Sequence, residues 1–250
     1  MANTNSQSAA NLLEKAWEKF NKKEYEEAIG LFDQLVEKDE NQVEAIYGRA
    51  CAYCRNEEFE SALKDLNSLI KIDGRHFRAY HVRGLIKGAE EKYKDAIKDF
   101  EKVISLSKDN QEAWLDLGGA YLMLQDYTTA SMAFEKAIDL DKACPHGWYG
   151  KGVVALYKKE YKKAIEFLNA AIKLYPKHLN AILARAEAYF ESNQREEGMR
   201  DVKKAAAVRK DIFSTPDNDE GEAEQVDEYE SENAEDISED TDLEDLKIVD

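Results

Sequence analysis

Three arginines and three aspartates in this sequence keep one spacing: Arg49 with Asp65, Arg83 with Asp99, and Arg185 with Asp201. Opposite charges that recur together predict ion pairs between facing helices, which is scaffold chemistry. Cys51-Ala52-Tyr53-Cys54 has the spacing of half a zinc site. A structural zinc needs two further ligands. His81 is the nearest candidate, and no fourth ligand is evident. His76, His81, His146 and His178 lack a partner nucleophile or acid at a useful spacing, and no glycine-rich phosphate loop follows a strand. These residues predict no catalysis, no cofactor and no metal. The remaining chemistry is recognition.

The elements that position these residues follow from a 34-residue period that runs six times, from Ala9 to Ile212. The eighth slot of each window is small: Ala16, Ala50, Gly84, Gly118, Gly152 and Ala186. The twentieth is small again (Ala28, Ala62, Ala96, Ala130, Ala164, Gly198). The twenty-fourth is large and apolar (Phe32, Leu66, Phe100, Phe134, Leu168, Val202). In the fourth window Trp114, Leu117, Gly118 and Tyr121 share one helical face. Gln125-Asp126 then interrupts, and Tyr127, Ala130, Phe134 and Ala137 resume the spacing on a second helix. A period of this kind signals a solenoid whose units bury apolar surface only against their neighbours.

Trp114-x-x-Leu117-Gly118-x-x-Tyr121, with Ala130, Phe134 and Ala137 beyond, resembles the tetratricopeptide repeat (TPR) signature. The resemblance implies an all-α superhelical solenoid of six helix-turn-helix units, at 9–42, 43–76, 77–110, 111–144, 145–178 and 179–212. Residues 1–8 precede the array as a disordered segment, and 213–250 follow as an acidic disordered tail. The proline usual near a unit's end occurs in register only as Pro176, so the other turns must rest on polar residues.

The same resemblance implies a concave groove lined by the second, fifth, sixth and ninth slots of each first helix. Its candidate binding residues are Leu13, Trp17, Tyr47, Cys51, Arg78, His81, Leu85, Leu115, Tyr149, Val153 and Leu183. TPR co-chaperones that hold acidic chaperone tails use a two-carboxylate clamp of Lys, Asn and Arg. Here those slots hold Leu13, Trp17, Gly48, Arg78 and Val82, so no such clamp is expected. An apolar and aromatic track instead favours a peptide with apolar anchors.

The net charge of −17 lies almost wholly in the tail, where 17 acids from Ser214 onward face one base, Lys247. So charged a segment, with few apolar groups, cannot offset the entropy of ordering. It could capture a basic client of histone or ribosomal type, or fold back on Lys158, Lys159, Lys162 and Lys163. Leu246, Ile248 and Val249 behind Asp242–Asp245 resemble a SUMO-interacting motif. Near-neutral charge in the array argues against nucleic acid, and no apolar run approaches the ~20 residues of a membrane span. The start also lacks the basic end and apolar run of an export signal. The expectation is a non-enzymatic, co-chaperone-like adaptor of the cytoplasm or nucleus, with escort of a basic client as the alternative.

Overall fold

A computed structural model describes the backbone of residues 2–214 and the side chains of residues 8–211. The chain falls into two units at Lys210, and the first is the repeat array. Of the second, from Asp211, only the end of the last helix is described, and the expectations for the acidic tail lie outside the described residues.

The described residues form twelve helices and no strand. The first helices of the six units are α1 (Ala2–Asn21), α3 (Val43–Arg55), α5 (Phe77–Ala89), α7 (Gln111–Met123), α9 (Pro145–Tyr157) and α11 (Leu179–Glu191). Their partners are α2 (Tyr25–Lys38), α4 (Phe59–Ile72), α6 (Tyr93–Leu106), α8 (Tyr127–Leu140), α10 (Tyr161–Leu174) and α12 (Arg195–Ser214). Residues 2–8 differ from the expectation of a disordered lead. They carry neither proline nor glycine, and α1 continues through them.

Each turn inside a unit reverses through one residue with φ between 58 and 61°: Lys23, Glu57, Glu91, Gln125, Lys159 and Asn193. Turns between units use polar groups where proline is absent. Asp39, Asp73 and Asp141 accept hydrogen bonds from the backbone two residues on. His76, Asn110 and His178 cap α5, α7 and α11 by accepting from Ala79, Ala113 and Ala181. Trp114 and Trp148 each donate an indole N–H, at 3.2 Å, to the carbonyls of Lys108 and Lys142 in the preceding turn.

The small and large slots build the core as the period predicts. Ala28, Ala62, Ala96, Ala130 and Ala164 are fully buried, as are Phe32, Leu66 and Leu168. Glycine is required where an aromatic ring comes closest. A Cβ on Gly150 would lie 2.5 Å from Phe134 Cε1 of the preceding unit. Gly119, by contrast, has nothing within 4 Å of the place a Cβ would take.

The three Arg–Asp pairs are present and bidentate, with N–O distances of 2.6–2.9 Å. Each arginine also reaches back to the previous unit, Arg49 to Asp33, Arg83 to Asn67 and Arg185 to Asn169. Burial alone would depress Arg49, but its hydrogen bonds to Asp65 and Asp33 outweigh that and hold its pKa above the usual value. Unit five follows the same plan with Lys151, which bonds Glu135 and sits over the Phe167 ring. Unit four abandons it, placing Leu117 and Ala133 in an apolar cluster.

Two stability predictions follow from this packing. Arg49→Ala leaves buried Asp65 without its cation and lowers stability by about 3 kcal/mol in urea unfolding. Arg83→Ala costs less, because Lys87 still bonds Asp99 at 2.8 Å; equal losses would disprove this account. Gly150→Ala destabilises by about 1–3 kcal/mol through overpacking, whereas Gly119→Ala is neutral or gains up to about 1 kcal/mol of helix propensity.

Candidate functional site

A groove of the kind the resemblance implies is built from first-helix side chains that the core does not consume. Of the eleven candidate groove residues, Arg78 and Leu183 are exposed and the other nine are partly exposed. None is buried. Several also support the core: Leu13 and Trp17 lie against the first cluster, Tyr47 against the second, and Tyr149 against the last. Trp17 makes edge-to-face contacts with Phe20 and Phe32 at 5.4 and 5.3 Å. Each such ring therefore has one side held and one side available, a suitable arrangement for a rigid anchor.

The sixth slot corrects the sequence reading. It was assigned to the groove, but Gly48 and Gly150 are buried against Phe32 and Phe134 of the preceding units. After Phe32 and Phe134 the next unit provides glycine, and the slot serves packing there.

The exception is Asp116, at the sixth slot of unit four. It meets His81 of unit three, with Nε2 and Oδ2 2.6 Å apart. The His81 ring stands edge-on to Phe100 at 6.0 Å. Burial pulls the His81 pKa down, but the hydrogen bond and charge of Asp116, with Glu112 behind, outweigh it and raise the value above the ordinary 6.5. Sequence reasoning placed both residues in the groove without pairing them. The signal was available: a fifth slot precedes a sixth slot of the next unit, and only here are the two chemically complementary.

Histidines also stand behind the groove tyrosines. Tyr47 lies against His76 and Tyr149 against His178, each with ring centroids 5.0 Å apart. His178 is buried beside His146 and Tyr175. Its Nδ1 accepts from Ala181, and its Nε2 has no partner. Burial, then the neighbouring His146, pushes its pKa down to about 4. Cys51 and Cys54 are partly buried, and burial raises both thiols, Cys54 to about 12. They serve as small packing groups. Among the described residues no cluster of three His, Cys, Asp or Glu side chains could hold a metal ion. Among the same residues no helix is long and apolar enough to cross a membrane.

The two histidines predict opposite pH effects. The His81–Asp116 pair stabilises the fold below the unfolded value of 6.5 and loses that contribution as pH rises through the raised folded value. His178, neutral when buried, costs stability as pH falls from 6.5 toward about 4. Imidazole NMR titration should place His81 above 6.5 and His178 near 4, and Asp116→Asn should bring His81 down alone. A His81 titration unchanged in Asp116→Asn would remove Asp116 as the cause.

Comparison with known families and structures agrees with this architecture. Tetratricopeptide repeat models match residues 89–152 and 145–178, and a model described as anaphase-promoting complex, cyclosome, subunit 3 matches 21–102. No curated protein matches the sequence. Among solved structures, MamA is similar at 22% identity and a TM-score of 0.60, over 71% of this chain and 98% of its own. YrrB, described as a TPR protein with an unusual peptide-binding site, shares 20% identity at a TM-score of 0.58, over 73% of this chain and 94% of its own. A tetratricopeptide repeat protein from Parabacteroides merdae reaches a TM-score of 0.71 at 18% identity, over 82% of this chain and 86% of that one. The solved structures share the fold, and the repeat models, with the period and the helix pairs already in place, show that the chain belongs to the tetratricopeptide repeat family.

Proposed function

We propose that this protein is a non-enzymatic adaptor that captures an apolar-anchored peptide segment along the concave groove. The observation that carries this reading is the partial exposure of Trp17, Tyr47 and Tyr149, each backed by a buried cluster and each on a different unit. Large rings already fixed on one side lose little freedom on binding, which is why such residues dominate binding energies. Arg78 supplies an exposed cation beside this track, and the His81–Asp116 pair supplies the polar contact at its centre. YrrB, similar in fold, is described as having a peptide-binding site, which supports a peptide as the class of ligand.

The alternative, escort of a basic client by residues 214–250, rests on 17 acids against one base in that segment. Association through those charges would weaken steeply with salt, whereas apolar anchoring would not.

Gly119 offers a clean test, because its open surroundings accept a larger side chain at the middle of the groove. Gly119→Leu should keep the circular dichroism and melting of the parent yet lose partners in a lysate pulldown. Tyr149→Ala should weaken the same partners about tenfold or more, as expected for loss of an aromatic anchor. Partners that survive both variants and vanish on removal of residues 214–250 would shift the function to the tail.

A further inference from the structure

The groove does not account for a second concentration of exposed apolar side chains, at the turns inside units four and five. Met123 and Leu124 close α7, Tyr157 closes α9 and Met132 stands on α8. They are 47, 37, 62 and 65% exposed. Tyr157 stacks on Tyr127 of the preceding unit, with centroids 5.7 Å and planes 10° apart. Met132 shares a shallow hollow with Lys158, Thr128, Ser131 and Glu135, whose carboxylate is taken by Lys151, and this joins it to the end of α9.

The repeat does not require this. Positions equivalent to Met132 hold Gly30, Lys64, Lys98, Glu166 and Arg200 in the other units. Those equivalent to Tyr157 hold Asn21, Arg55, Ala89 and Glu191 outside units four and five. A solvated turn edge is the rule, and an aromatic and thioether surface is the departure. Exposed apolar surface that packing does not need marks a contact with something else.

Charge identifies the occupant. Lys158, Lys159, Lys162 and Lys163 are all exposed at this edge. The unit they belong to carries seven lysines and two glutamates. Lys163 hydrogen-bonds Glu160 at 2.5 Å, and Lys158 is near enough to Asp126 to act on its carboxylate. Such a border repels basic segments and favours carboxylates. Methionine adapts to varied apolar shapes, while the stacked tyrosines give a flat ring face.

We propose that this edge is a second docking surface, separate from the groove, for an acidic peptide segment that carries apolar or aromatic side chains. Its apolar groups cover Met132 and the Tyr127–Tyr157 stack while its carboxylates meet the lysine row.

The test is fluorescence anisotropy on the full chain with a labelled peptide of Asp and Glu interspersed with Leu and Phe. Binding should weaken about tenfold or more in Lys158→Glu/Lys162→Glu, and similarly in Met132→Ser/Tyr157→Ser. All four side chains are exposed or at a turn, so circular dichroism should match the parent. Gly119→Leu, which fills the groove, should leave the affinity unchanged. Absence of binding, affinity equal to the parent's in either edge variant, or loss in Gly119→Leu would overturn the proposal. Equal binding of polyglutamate would do so too, because charge alone would then suffice.

Discussion

Phe134 fills a gap that two glycines on different helices leave open, Gly118 in its own unit and Gly150 in the next. The rest of the array depends on contacts of this kind. A lone helix pair would leave one side of that ring in water, so a unit is stable only with its neighbour. Size is matched along the chain. Phe32 meets Gly48, Leu66 lies in a cluster with Val82, and Leu168 lies in one with Ala184. The largest of these side chains, phenylalanine, meets the smallest residue, glycine, which lets those units approach closely.

A second set of contacts fixes units to one another through charge. Each ladder arginine lies midway in sequence between its two partners, so one guanidinium joins three helices. Its planar fork suits this, since two nitrogens serve one carboxylate and the third is left for the neighbour. The junction between units three and four omits the ladder. There Leu117 and Ala133 pack without charge, and His81 with Asp116 bridges the junction. Where the other junctions use an arginine or lysine to reach the previous unit, this one uses an imidazole–carboxylate contact.

The surfaces proposed for recognition are what these two sets leave over. The groove rings are half consumed by packing, which makes them rigid. The edge at units four and five is apolar where packing asks for nothing. The two proposed surfaces differ in chemistry: the groove combines fixed rings with few charges, and the edge combines exposed methionines with a lysine border.

The sequence by itself determined the helix pairs and the core, because alternation of small and large residues at fixed slots encodes packing within a unit. It also determined that Arg49, Arg83 and Arg185 face Asp65, Asp99 and Asp201, since both partners lie in one unit at one spacing. Tertiary structure decided what happens between units. That Gly48 and Gly150 turn away from the groove, that Asp33 and Asn67 share the arginines, and that His81 meets Asp116 all join residues of different units. Periodicity within a helix fixes a side chain's angle about that helix axis, not the angle between successive units. Which residues meet across a junction is set by that second angle, which arises only when the large side chains of one unit settle into the small positions of the next.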